Sequence, residues 1–186
     1  MVFATYSAIP HKDVMTTFFT ADHHFGHQAI IGMCSRPFAD VEQMDRALID
    51  NWNAVVQPSD TVWHLGDFAY RCDQKRKRAI LSQLNGNKHL IAGNHDDADT
   101  RSMAWGSVSQ MKEINIEGTK IFLCHYGMRT WPGAQRGALH LYGHSHGTLP
   151  GNAQCCDVGV DCWAFRPVAL PAIREVLERA PAVPQP

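Results

Sequence analysis

Apolar residues come in short blocks along this chain, and block after block stops at a polar, chemistry-bearing segment. Residues 16–21, Thr-Thr-Phe-Phe-Thr-Ala, read as a buried strand running into Asp22. Asp40 with Gln43 three residues on has capping-box spacing. It predicts a helix to about Val56, with Val41, Met44, Leu48, Trp52 and Val55 on one face. Pro58-Ser59-Asp60 is a turn, and residues 61–65 form a second strand ending at Gly66-Asp67. Asp73 caps a second helix through Leu84, stopped by Asn85-Gly86-Asn87. Residues 88–92 give a third strand that ends at Gly93-Asn94-His95-Asp96.

This strand–helix alternation predicts an α/β fold with parallel strands. The second half is patterned differently. Residues 111–116 and 120–124 flank a Glu117-Gly118-Thr119 turn and predict a hairpin. Short strands fit residues 139–142, 157–160 and 167–170, and Pro171 opens a last helix through Arg179. With no repeat and no linker, a single domain over 1–180 is expected, followed by a disordered Pro-rich tail at 181–186.

The 186 residues are 45% hydrophobic and 19% charged, ordinary for a globular chain with one core. No apolar run approaches the roughly 20 residues that span a bilayer. Residues 1–14 lack a basic segment followed by an apolar stretch, so no signal peptide is expected and a cytoplasmic location is the default. A net charge of -1 argues against a general nucleic-acid binder. The run Lys75-Arg76-Lys77-Arg78 reads as a solvated helix face, with phosphate steering as the alternative. Six cysteines without a Cys-x-x-Cys pair read as reduced thiols, and the adjacency of Cys155 and Cys156 makes a zinc cluster with Cys162 awkward.

Histidine changes the picture. Eleven occur, several beside Asp, Asn and Gly. Five clusters follow predicted strands: Asp22-His23-His24, Gly66-Asp67, Gly93-Asn94-His95-Asp96, Cys124-His125-Tyr126-Gly127 and Gly143-His144-Ser145-His146. Beyond the carboxyl ends of α/β strands, loops distant in sequence converge. On an extended segment, Asp22 and His24 point the same way and could share one metal; His144 and His146 repeat that spacing, and His23 would face away. Each cluster alone has a commonplace explanation in turn or cap chemistry. Five together, in this order, do not.

The set resembles the calcineurin-like metallophosphoesterase superfamily: Asp-x-His, Gly-Asp, Gly-Asn-His-Asp, a lone His, then Gly-His-x-His. The resemblance runs from Asp22 to His146. The run from Thr20 to His27, and Asp157-Val-Gly-Val-Asp161 followed by Arg166-Pro167-Val168, are similar to the short bacterial and phage branch. The resemblance implies a four-layer αββα sandwich, two mixed β-sheets flanked by helices. It also implies two divalent metal ions, manganese first, with iron, zinc or nickel as other occupants. The mixed histidine, carboxylate and amide donors disfavour magnesium and calcium. By resemblance, Asp22, His24 and His146 hold one metal, Asn94, His125 and His144 the other, and Asp67 bridges. His95 would not ligate but act as acid or stabiliser over the substrate, and Asp96 would orient His95 or cap the next helix. The implied reaction is phosphoester hydrolysis by a hydroxide shared between the metals.

Less specific are the substrate contacts. His27 could meet the phosphate or be structural, Arg36 could bind a phosphate oxygen bidentately or be a surface residue beside Pro37, and Tyr126, Arg129 and Trp131 could wall the pocket, a tryptophan there being more often core than substrate platform. His11, His64, His89 and His140 read as packing or surface residues. Protein Ser/Thr phosphatases carry Gly-Asp-x-x-Asp-Arg-Gly, whereas this chain has Gly66-Asp67-Phe68-Ala69-Tyr70-Arg71 and no room for a cap domain. The expected substrate is therefore a small or nucleotide-like monoester or diester at an open site. Two alternatives stand beside it: a nuclease, which would want a basic groove, and a non-catalytic scaffold, against which the complete ligand set and His95 count.

Overall fold

The computed structural model describes residues 15–182, so the expectations for His11, the first 14 residues and positions 183–186 lie outside it. Strands β1 (Thr17–Thr20), β2 (Thr61–His64) and β3 (Asn87–Ile91) are parallel neighbours. Their side chains alternate between two apolar environments. Phe18 and Val62 face one cluster with the helices, while Phe19, Trp63, Leu65 and Ile91 face a second cluster between the sheets. Burial on both faces explains the unbroken apolar runs.

Helix α1 (Gln28–Met33) precedes α2 (Val41–Asn53), whose N-terminus is capped as its spacing predicts. Gln43 N donates to the Asp40 carboxylate at 2.7 Å, and Gln43 Oε1 accepts from Ala39 N. Met44, Leu48 and Trp52 of α2 are fully buried against the first sheet. Arg76 N donates to Asp73 at the start of α3 (Gln74–Gln83). Asp97, not Asp96, caps the short α4 (Ala98–Arg101), after which β4 (Ser107–Ser109) pairs with β3.

The hairpin is β5 (Met111–Ile116) and β6 (Thr119–Cys124), antiparallel throughout. β7 (Leu139–Tyr142) and β8 (Cys155–Asp157) extend it in parallel, giving the order β5-β6-β7-β8. β9 (Val168–Ala169) returns antiparallel to β1, so the first sheet runs β4-β3-β2-β1-β9. Both sheets are thus mixed, with helices outside the first. A segment at 126–138 with a short 3-10 turn covers the outer face of the second through Trp131 and Ala138. Helix α5 (Leu170–Arg179) buries Leu170, Ile173 and Leu177 in the inter-sheet cluster. Pro181, expected in the disordered tail, accepts a hydrogen bond from Ala153 N at 2.8 Å. No helix among the described residues is long and apolar enough to cross a membrane.

Trp52 ties α2 to the turn after α3, since its Nε1 donates to Asn85 O at 3.0 Å. Replacing it with alanine leaves a cavity and an unpaired carbonyl, so Trp52→Ala should lower the unfolding free energy by about 3–5 kcal/mol. Equilibrium urea denaturation checks this, and a loss under about 1 kcal/mol would contradict the described docking.

Candidate functional site

The carboxyl ends of β1, β2, β3, β6 and β7 open on the same side, and the five clusters meet there. Backbone bonds bind these ends together. Asp22 N donates to Gly66 O, His24 N to Asp67 O, and Gly143 N to His125 O, at 2.9–3.0 Å. The convergence differs from the extended spacing expected of Asp22-x-His24. Asp22, His24, Asp67, His144 and His146 all have positive φ, between 46° and 67°. Side chains two apart meet because the backbone folds back on itself, a conformation uncommon for residues other than glycine and associated with functional sites. His23, as expected, points away: it is buried behind the site, its Nδ1 2.9 Å from His64 Nε2.

Two groups of ligand-type atoms result. Asp22, His24 and His146 offer atoms within 4.8 Å of one another, and so do Asp67, His125 and His144. Asn94 joins the second group, its Oδ1 3.1 Å from His125 Nε2. Asp67 Oδ2 stands between the groups, 3.6 Å from His24 Nε2 and 3.5 Å from His125 Nε2. Glycines make this closeness achievable. A Cβ on Gly93 would lie 2.3 Å from Asp67 Oδ1, and one on Gly143 would lie 2.5 Å from Ala21 Cβ and 2.7 Å from Asp22 Oδ2.

Hydrogen bonds orient two of the imidazoles, His125 and His146. His125 Nδ1 donates to Leu65 O at 2.7 Å, leaving Nε2 with its lone pair toward the site. His146 Nδ1 donates to Asp161 Oδ2 at 2.7 Å, with the same consequence. Both ring nitrogens of His24 are buried without a hydrogen-bond partner. Burial pushes the His24 imidazole down to about 3, so the ring is neutral. Burial also lifts the Asp22 carboxyl to about 7 despite nearby histidines. Burial would raise Asp67 as well, but the histidines that face it, His125 first, and the backbone N–H of His95 outweigh it and hold the group at about 2. Imidazole nitrogens converging with buried carboxylates fit a divalent cation, which would offset the cost of burying Asp22.

His95 lies beside this centre. Its ring centroid is 5.3 Å from that of His24 and 4.4 Å from that of Tyr70, and its backbone N–H donates to Asp67 Oδ1 at 2.9 Å. Asp96 does not orient His95, nor does it cap a helix. Its buried carboxylate accepts from the backbone N–H groups of Gly93, Asp67 and Phe68, bracing the turn that carries Asp67.

Arg36 is likewise not a substrate contact. Its guanidinium is buried, donating to both Asp161 oxygens at 2.8 Å, to Asp22 O at 2.7 Å and to His23 O at 2.9 Å. The remaining donor turns to Met44 Sδ at 3.5 Å, so all five N–H groups are spent inside the protein and none is left for a phosphate. It instead braces the strand end behind Asp22 and the carboxylate behind His146. Tyr126 is 45% exposed at the rim, its ring against His125 and His144. Trp131 is buried and donates to Ala138 O. His140 and His89 serve packing, His140 accepting from Met128 N and His89 stacking on Trp63.

Asp161, Asp157 and Tyr70 received no role from the chain's spacing. Asp157 accepts from Ser145 Oγ, Gly147 N and Gly159 N, clamping the loop that bears His144 and His146. Cys34 comes close to His146 and Asp161, but Arg36 already occupies that carboxylate. All six cysteines are free, and among the described residues no metal-type grouping contains Cys155, Cys156 or Cys162.

Known proteins are similar to this chain. An uncharacterized protein of Methanocaldococcus jannaschii is 32% identical over 171 residues, covering 88% of this chain and 92% of its own length. The gene 66 protein of Mycobacterium phage L5 is 29% identical over 182 residues, covering 79% and 87%. A protein of unknown function from Aquifex aeolicus has the same fold, with a TM-score of 0.71 at 23% identity over 88% of this chain and all of that one. The family model for calcineurin-like phosphoesterases matches residues 15–167, which include every member of both ligand groups. The chain belongs to the calcineurin-like phosphoesterase family and is a hydrolase of phosphoester bonds.

Proposed function

We propose that this chain hydrolyses small phosphoesters with the help of two divalent cations, manganese foremost. Asp22, His24 and His146 hold one cation, Asn94, His125 and His144 the other, and Asp67 is shared. The observation that carries this reading is the position of Asp67 Oδ2, about equally far from His24 of one group and His125 of the other. When bound, such a pair of cations neutralises phosphoryl charge and brings water to its ionised form near neutral pH.

The chain's own groups do the rest. Water oxygen bonds to phosphorus, the bond from phosphorus to the leaving oxygen breaks, and an imidazole N–H of His95 gives that oxygen its proton. The His95 backbone, tied to Asp67, keeps the ring beside the ligand groups. Tyr126 contacts substrate at the open rim, where Asn94 and His144 are also exposed. A nucleic-acid backbone is not favoured. In the basic run, Arg76 is spent on Asp45 at 2.7 Å, and Lys77 is buried against Asp97 at 2.7 Å. That leaves no continuous basic stripe along α3.

Three outcomes are expected. Chelation abolishes hydrolysis of nitrophenyl phosphate esters and added manganese restores it; turnover that survives exhaustive chelation sinks the metal reading. His95→Ala keeps the metal content found by elemental analysis but loses about 10²–10⁴-fold in kcat, and a variant working at full rate removes His95 from the chemistry. Asp161→Asn, which weakens the hold on His146, lowers metal affinity or activity by about 10–100-fold. Unchanged metal titration and unchanged turnover in that variant would show that Asp161 does not support ligation.

A further inference from the structure

Hydrolysis as proposed leaves one wall of the site without a task. Beyond the ends of β1 and β2 the two segments run on side by side. Phe25 N donates to Phe68 O at 2.9 Å, and Tyr70 N to Phe25 O at 3.2 Å. Asp45, on α2, fastens this platform, accepting from Gly26 N at 3.1 Å and from Arg76 Nη2 at 2.7 Å. The platform carries His27, Tyr70 and Arg71.

Four rings close a circuit there. His24 to His27 is 5.4 Å, His27 to Tyr70 4.7 Å, Tyr70 to His95 4.4 Å, and His95 to His24 5.3 Å between centroids. The Arg71 guanidinium lies over Tyr70, 5.4 Å from the ring centroid, on a backbone with φ of 52°. Among the described residues Arg71 makes no ion pair, whereas Arg36, Arg76 and Lys77 each do. His27 is 8% exposed, and its Nδ1 has no hydrogen-bond partner.

An arginine held by a ring face instead of a carboxylate keeps its fork of N–H donors free. Tyr70 already has Arg71 over its ring and two imidazoles packed against it at steep angles, so it is a poor platform for stacking a base. The recognition this wall offers is anionic. Its side of the site also follows from His95. The ring that protonates the leaving oxygen is the one in contact with Tyr70, so the leaving group departs along this wall.

We infer that the substrate is a phosphoester whose leaving group carries a second anionic group, a phosphate or carboxylate, held by Arg71 with His27 beside it. This rests on the hydrolytic reading above. The test compares a nucleoside 3′-phosphate with the matching 3′,5′-bisphosphate on manganese-loaded enzyme, following phosphate release and identifying the retained 5′-phosphate. The bisphosphate should have a kcat/KM about 10–100-fold higher. Arg71→Ala should bring that ratio to near one, and Arg71→Lys should recover part of it. Equal rates for the two esters in the parent enzyme, or a ratio that survives Arg71→Ala, overturn the subsite while leaving hydrolysis intact. No turnover of either ester, nor of nitrophenyl esters, overturns the hydrolytic reading itself and the subsite with it.

Discussion

An L-residue in left-handed backbone geometry costs about 1–2 kcal/mol, and five such residues crowd one small volume here: Asp22, His24, Asp67, His144 and His146. No one loop could keep that arrangement by itself. It persists because the loops are bonded to each other at the same points. The backbone N–H of His144 donates to both oxygens of Asp22 at 2.9–3.0 Å, and that of His95 donates to Asp67. Two of the carboxylates that would face a cation are therefore also the groups that hold neighbouring loops. Strain in the backbone is balanced by charge-assisted hydrogen bonds across sequence separations as large as 122 residues.

A second set of carboxylates never faces the centre and decides its shape. Asp96 accepts three backbone N–H groups around the Asp67 turn, Asp157 clamps the Gly143–Gly147 loop, Asp161 orients His146, and Asp45 fastens the wall that bears His27. All are buried or partly so. Each satisfies donors that would otherwise be orphaned where strands end and loops turn inward. The histidines divide in the same way. His24, His125, His144 and His146 converge, while His23, His64 and His140 pack behind them as hydrogen-bonding core residues.

The arginines show how one residue type takes opposite tasks. Arg36 is buried with carbonyl and carboxylate acceptors on its donors, so it serves as a strut. Arg76 is drawn off by Asp45. Arg71, on the neighbouring turn, rests against a tyrosine ring with its donors uncommitted. Charge available to a ligand depends on what each cation already touches, not on the number of basic residues in the run.

Much of the fold was legible in the chain. The apolar runs of β1, β2 and β3 and the hairpin of β5 and β6 follow local periodicity. The caps Asp40 and Asp73 mark the starts of α2 and α3 through contacts three residues away. Short pieces were not legible. β4 is three residues recruited by pairing with β3, and α1 has six residues and no side-chain cap. β8 ends at Asp157 rather than continuing to Val160, because that carboxylate turns the chain through Gly159 N and Val160 enters a 3-10 turn. For the site, the clusters and their order were written in the sequence, since each ligand type sits beside the glycine or strand end it requires. Which side chains face inward was not. Arg36 and Asp96 carry the same charge whether they meet a substrate or brace a turn, and only the packed structure, by spending their hydrogen-bonding capacity on neighbours far away in sequence, decided between the two.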